Sequence, residues 1–209
     1  MSLNEYATAE HALAYLARAD RIPHRTEGEA VLLDLVPRTA RRILDLGTGD
    51  GRLLALLLID RPDAAGVAAD FSPTMLAAAS ERFRGGPSVE VIEHDLDEPL
   101  PGLGSFDVVV SSFAIHHCTD ERKRSLYAEI FALLEPGGVF YNLEHVASST
   151  PALHERFLRA IDTTAEDPSN KLTPVELQLD WLRRIGFADV DCHWKWLELA
   201  LFGGIKPGA

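Results

Sequence analysis

Three aspartates, a cluster of glycines and a pair of histidines hold the chemistry that this sequence offers. Asp45 lies in the apolar run Ile43-Leu44-Asp45-Leu46, and Gly47-Thr48-Gly49-Asp50-Gly51 follows at once. Glycine adopts backbone angles closed to other residues and lets N–H groups approach a ligand closely. Arg52-Leu53-Leu54-Ala55-Leu56-Leu57-Leu58 then reads as a helix, whose first turn adds unpaired N–H donors and the positive end of a dipole. A strand, a tight turn and a helix start in that order suit the polar end of a nucleotide-like cofactor. The glycines are spaced G-x-G-x-G, with Arg52 where a dinucleotide-binding turn has its last glycine. No Lys-Ser or Lys-Thr follows, which excludes a P-loop. A carboxylate at Asp45 would repel a pyrophosphate and would suit a ligand that carries an ammonium group.

Asp70 closes the small-residue run Ala65-Gly66-Val67-Ala68-Ala69, and Asp95 follows the alternating run Val89 to His94. In a doubly wound sheet, ligands bind at the carboxyl ends of the strands, near the switch in strand order. Asp70 there could accept both hydroxyls of an unphosphorylated ribose, and Phe71 could cover one face of an adenine. Asp95 could accept from the adenine amino group, with the N–H of Leu96 directed to a ring nitrogen. Any one of these aspartates could equally cap a helix or end a loop in solvent. Three in register with a glycine turn favour the site.

Phe106-Asp107-Val108-Val109-Val110 reads as a fourth strand and runs into Ser111-Ser112-Phe113-Ala114-Ile115-His116-His117. His116 and His117 are the first candidates for a general base, since an unperturbed imidazole titrates near neutral pH. Glu144 and His145, beyond a fifth strand, come second. The alternative for both histidines is packing or capping. His116, His117, Glu144 and His145 have no ligand spacing that recommends a metal, and no metal site is assigned.

Around these residues strands and helices alternate, which argues for a mostly parallel α/β sheet. Residues 4–19, with Tyr6, Leu13 and Leu16, read as a helix, and Glu27 to Val36 as a second, ended by Pro37. This 1–37 segment precedes the first strand and is expected to form a helical lid, with Tyr6, His24 or Arg25 facing the cofactor. Residues 38–209 form the core, with a helical insert near 146–172. Ser72-Pro73, Thr119 or Asp120, and Thr150-Pro151 mark helix starts. Thr173-Pro174-Val175-Glu176 reads as a capping box, and Gly186 as a helix stop. Phe187 to Trp196 and Leu197 to Phe202 read as two final extended runs, and Trp181, Trp194 and Trp196 as core.

The chain has 209 residues, enough for one substantial core and too few for two domains. Its formal charge is −12. Nucleic-acid binding rests on phosphate neutralisation, so a nucleic-acid partner is not expected. No apolar run reaches the ~18 residues that a membrane span needs, and no basic-then-apolar leader is seen. Cys118 and Cys192 have neither metal spacing nor a disulfide framework. A reducing cytoplasm is the expected setting.

From about Arg41 to Tyr141 the sequence resembles the class I S-adenosylmethionine (SAM)-dependent methyltransferases. Leu44-Asp45-Leu46-Gly47-Thr48-Gly49-Asp50-Gly51 is similar to their first motif, and Asp70-Phe71-Ser72-Pro73-Thr74-Met75-Leu76 to their D-x-S-x-x-M-L stretch. Glu93-His94-Asp95-Leu96 and Leu133-Leu134-Glu135-Pro136-Gly137-Gly138-Val139 match later motifs. Ala68 and Ala69 depart from the larger residues usual there. The resemblance implies a Rossmann-like, doubly wound seven-stranded sheet of order 3-2-1-4-5-7-6 with the seventh strand antiparallel, and SAM as methyl donor. By matched positions Gly47 and Gly49 would cradle the methionine part and Asp45 would lie near its amine. Asp70 would hold the ribose, Asp95 with Leu96 the adenine, and Ser112 would line the same pocket. The expected reaction is methyl transfer to O, N or C of a small molecule. A non-catalytic SAM-binding protein and a nicotinamide-dependent oxidoreductase are the alternatives. Because the donor is already activated, alignment and exclusion of water would supply much of the catalysis, and a base is needed only for a protonated nucleophile.

Overall fold

The computed structural model describes residues 22–163 and 167–208. The expected helix over 4–19, with Tyr6, lies outside them. Seven strands form one sheet: β1 (Arg42–Leu46), β2 (Ala65–Asp70), β3 (Val89–Glu93), β4 (Phe106–Ser112), β5 (Leu134–His145), β6 (Ala188–Trp196) and β7 (Leu199–Ile205). Their order is β3-β2-β1-β4-β5-β7-β6, as the family resemblance implies. The first five pair in parallel, and β7 runs antiparallel to both β5 and β6. The chain therefore winds outward from β1 to β3 and then returns across β1 to β4. That reversal opens a crevice at the carboxyl ends of β1 and β4.

Alternation along the strands sorts the core into two layers. Ile43, Ala68, Val108, Val110 and Leu201 face one layer, with Leu32, Leu53, Leu54, Leu57 and Ala79 from helices. Leu44, Leu46, Val109, Phe140 and Phe202 face the other, with Leu126, Ile130, Leu179 and Leu182. The helices of the first layer are α1 (Arg25–Leu35), α2 (Arg52–Asp60) and α3 (Pro73–Arg82). Those of the second are α4 (Asp120–Leu133) and α6 (Val175–Ile185). Between them in sequence, α5 (Pro151–Ala160) buries Phe157 and lies in the expected insert. No helix among the described residues is long and apolar enough to cross a membrane.

Several local expectations hold and others fail for identifiable reasons. Thr119 caps α4 by accepting from the Arg122 N–H, and Thr150 caps α5 by accepting from Leu153. Gly186 ends α6 in the left-handed region. The capping box at Thr173 and Glu176 does not form. Pro174 is the N-cap, and the Thr173 hydroxyl donates to Asp120 and accepts from buried Lys123. Ser72 stands at the N-cap of α3, but its hydroxyl makes no cap. The final run begins at Leu199, because Leu197 (φ 50°) turns the chain between β6 and β7. Leu32 and Val36 in the described part of the leading segment are buried, so α1 is a layer of the core whose first residue reaches the crevice.

Candidate active site

The crevice at the β1–β4 switch is a cleft of about 1140 Å³, including its open mouth. Asp45, Gly47, Gly49, Asp70, Phe71, Asp95, Leu96, Ser112 and His117 all border it. One further sequence candidate, His116, does not.

Asp45 is 1% exposed. One of its oxygens accepts from the Thr48 hydroxyl at 2.7 Å. The other, Oδ1, is buried without a hydrogen-bond partner among the described residues. Burial is the main force that pushes this carboxyl up to about 7, against the pull of Thr48 and a backbone N–H. An unpaired buried carboxylate oxygen is costly in the ligand-free protein and calls for a donor, best a cationic one.

Asp70 fastens the glycine turn to the end of β2. It accepts from the Gly49 N–H and the Ser72 N–H, each at 2.9 Å. One bond to each oxygen leaves further lone pairs for hydroxyl donors. Burial raises its pKa, and the backbone N–H groups of Ser72, Gly49 and Phe71 work against that. Asp95 is exposed on the far wall and accepts from the Asp97 N–H at 3.0 Å. The Ser112 hydroxyl is a second buried polar group without a partner among the described residues.

The two leading glycines act differently. A Cβ on Gly47 (φ +66°) would lie 2.1 Å from the Ala114 Cβ, so its bareness seats the loop after β4. A Cβ on Gly49 (φ +58°) would meet nothing nearer than the Met75 sulfur at 4.0 Å, on the wall of the cleft. Gly49 is therefore the position that leaves room for a ligand.

Sequence reading expected Arg25 to face the cofactor but missed Arg52 and the buried carboxylate that joins the two. Glu29, buried in α1, accepts from Arg25 Nε at 2.8 Å and from Arg52 at 3.1 Å. Both guanidiniums border the cleft, beside Asp45. The Arg25–Glu29 spacing of i,i+4 was the available signal. Arg82 of α3 binds Asp50 of the glycine turn from the other side.

The loop after β4 begins with Phe113 in the left-handed region (φ 53°), and a 3-10 turn over Ile115–His117 follows. His116 is buried behind His117, with ring centroids 4.0 Å apart. Its Nδ1 lies 2.5 Å from Glu144 Oε1, and its backbone N–H donates to Oε2 at 3.0 Å. Burial would raise the Glu144 carboxyl, but His116 and the His145 N–H outweigh it and hold it below the usual range. His145 and His154 meet on the opposite side, each 2.9 Å from buried Glu198. His117 borders the cleft, and its Nδ1 lies 3.1 Å from Ser169 Oγ. Burial, then the neighbouring His116, push His117 down to about 3. The near-neutral titration expected from sequence is thus lost to desolvation, and the ring stays neutral through physiological pH. Among the described residues no set of three or more His, Cys, Asp or Glu side chains is arranged to hold a metal ion.

The donors and acceptors in the cleft fit one kind of cofactor. An unpaired carboxylate oxygen at Asp45 suits an ammonium, the arginines a carboxylate, Asp70 a ribose, and Phe71 with Leu96 a flat base. Residues 43–138 match the family model described as a methyltransferase domain. A demethylmenaquinone methyltransferase of Thermus thermophilus is 38% identical over 109 residues, which is 51% of this chain and 48% of that protein. One from Clavibacter sepedonicus is 29% identical over 192 residues, 83% of this chain and 76% of that protein. The chain thus spans about half of the first relative's length. Among solved structures, an O-methyltransferase family protein from Burkholderia thailandensis superposes with a TM-score of 0.76 at 24% identity, covering 98% of this chain and 62% of that one. Fold, cleft and sequence matches agree in their likeness to the class I SAM-dependent methyltransferases.

Proposed function

We propose that the protein transfers a methyl group from SAM to a small molecule whose nucleophile sits on a hydroxylated ring of the quinol type. The likeness to two demethylmenaquinone methyltransferases supports that acceptor class. The observation that carries the cofactor reading is the buried, unpartnered Asp45 Oδ1 on the wall of the cleft.

When bound, SAM supplies a methyl group already activated on a sulfonium. Asp45 accepts from its ammonium, and Arg25 and Arg52, pinned by Glu29, receive its carboxylate. Asp70 accepts from the ribose hydroxyls. Phe71, Asp95 and Leu96 hold the adenine, with Gly47, Gly49 and Ser112 shaping the pocket. His117 orients the acceptor through a ring nitrogen, and His116 with Glu144 supports it from behind. Arg25 is the described contribution of the leading segment to covering the cleft, within a single domain over 1–209.

Calorimetry with SAM and with NAD, followed by radiolabelled methyl transfer to a naphthoquinol, tests this reading. Micromolar SAM binding, no NAD binding and label in the naphthoquinol are expected. NAD binding in preference to SAM would restore the oxidoreductase. SAM binding with no transfer to naphthoquinol or other hydroxylated rings would favour a non-catalytic SAM-binding protein.

A further inference from the structure

Asp95 and Leu96 border the cleft on a turn that α4 holds from behind. The turn closes on itself through two bonds. The Asp97 N–H donates to Asp95 Oδ1 and the Glu98 N–H to the Asp95 carbonyl, each at 3.0 Å. These local bonds set the shape of the turn but not its tilt against the sheet. Arg122 of α4 sets the tilt. Its Nε donates to the Leu96 carbonyl at 2.6 Å, and its Nη2 to the Glu98 carbonyl at 2.8 Å. The same guanidinium grips Glu129, with Nη1 donating to Oε1 at 2.5 Å and Nη2 to Oε2 at 2.9 Å. Glu129 Oε2 also accepts from the Leu100 N–H at 2.9 Å, beyond the turn.

A guanidinium is a flat fork of five donors. The Arg122 side chain is 11% exposed and cannot rotate without breaking several of its bonds at once. Burial would raise the Glu129 carboxyl, but Arg122 and the Leu100 N–H outweigh it and hold it below the usual range. The pair is therefore charged on both sides through physiological pH, and its bonds are charge-assisted. Arg122 stands in the first turn of α4, where Asp120 and Glu121 suit the helix dipole and a cation opposes it. Its tertiary bonds explain a residue that the helix alone would not favour. Arg122 does not itself border the cleft. Through it the turn takes its position from a helix packed on the sheet.

We propose that Arg122, clamped by Glu129, is a positioning residue that fixes the Asp95–Leu96 turn so that the site selects a 6-aminopurine. The inference rests on the SAM reading above and adds a specificity to it. An ionised Asp95 can only accept, from the amino group, and the Leu96 N–H can only donate, to the ring nitrogen. A 6-oxopurine presents the opposite pattern, an oxygen and a ring N–H, and meets both groups with the wrong partner. Rejection requires the two groups at a fixed separation and angle. A turn able to tilt would let water bridge either pattern.

Calorimetry of the full chain with S-adenosylhomocysteine and with its 6-oxo analogue, S-inosylhomocysteine, tests this without a methyl acceptor. The parent should prefer the adenine ligand by at least about tenfold, as two mismatched hydrogen bonds demand. In Arg122→Met, S-adenosylhomocysteine should weaken by about tenfold and the preference should shrink to about threefold or less. Arg122→Lys keeps the charge but cannot bridge two carbonyls and a carboxylate, and should behave like Arg122→Met. Glu129→Gln keeps the bulk and should lose part of the preference; it decides the matter if the Arg122 variants do not fold. A role in helix packing alone would lower stability to urea and leave the preference of the folded protein at the parent value. That result, or a parent with no preference, would overturn the proposal. Failure of S-adenosylhomocysteine to bind the parent at all would defeat the cofactor reading and this proposal with it, whereas binding with a preference indifferent to Arg122 and Glu129 defeats this proposal alone.

Discussion

The two walls of the cleft are built by different means. The cofactor wall takes one carboxylate from each strand end: Asp45 near the end of β1, Asp70 as the last residue of β2 and Asp95 just after β3. Their partners are near in sequence or in the adjacent turn, as with Thr48 on Asp45 and Ser72 on Asp70. It keeps polar atoms unpaired, at Asp45 Oδ1 and Ser112 Oγ. The histidine wall is assembled from side chains that are distant in sequence: His116 with Glu144, His117 with Ser169, and His145 and His154 with Glu198. There the carboxylates have partners in hand. A surface that must receive a charged ligand leaves groups unsatisfied, whereas one that must hold an imidazole at a fixed angle satisfies them.

That contrast can be broken at several points. On the histidine wall, Glu144→Ala leaves His116 and its backbone N–H without their buried acceptor. Stability should fall by about 3–5 kcal/mol, read by urea denaturation, while SAM affinity of the folded fraction stays within about twofold. If the variant is as stable as the parent, the pair is not structural.

On the cofactor wall, Asp45→Asn should act in the opposite sense. The folded-state pKa of about 7 lies above the ordinary aspartate value of 3.8, so the folded protein holds this proton more tightly than the unfolded chain does. Stability is therefore fullest below the unfolded pKa and declines as pH rises through the folded one. At about 1.4 kcal/mol per pH unit the penalty reaches roughly 4 kcal/mol above neutrality. Asp45→Asn should stabilise the ligand-free protein at pH 8 and give no gain at pH 4. A gain of equal size at both pH values would refute the linkage.

A smaller effect separates the glycines. Gly47→Ala should lower the melting temperature, because its Cβ would collide with Ala114. Gly49→Ala should cost only the strain of its left-handed backbone, roughly 1–2 kcal/mol, and should weaken SAM as well. Equal stability losses with SAM affinity intact in both would erase the distinction. Asp70→Ala tests the ribose end of the same wall through affinity. Loss of one charge-assisted bond to ribose is worth about 1.5–3 kcal/mol, so affinity should drop roughly tenfold or more. A 2′,3′-dideoxy analogue should bind the parent protein as weakly as SAM binds the variant.

The cofactor wall was largely legible in the sequence because its signals are local. An apolar run that ends in Asp and enters a glycine turn marks a strand end, and the same logic placed Asp70 and Asp95, whereas Ser112 came from the family resemblance. The sheet order came from family resemblance, not from the residues one at a time. His117 was visible as a polar residue after β4, but Ser169 lies 52 residues away, and no periodicity links two loops. Thr173 illustrates the reverse error. Its spacing to Glu176 satisfied a local rule, and tertiary contacts with Lys123 and Asp120 claimed its hydroxyl instead. The near-neutral histidine failed similarly, since burial is a property of the fold and not of the residue type.

The central claim is that Asp45 is the ammonium acceptor of a SAM site, and calorimetry of SAM binding across pH tests it most directly. SAM binds the ionised carboxylate, so protons should be released on binding below neutrality. Affinity should rise by about tenfold per pH unit as pH approaches 7 and then level off. Asp45→Asn should bind weakly at every pH, with no proton release. A parent affinity that is flat from pH 5 to pH 8 and equal to that of Asp45→Asn would contradict the account.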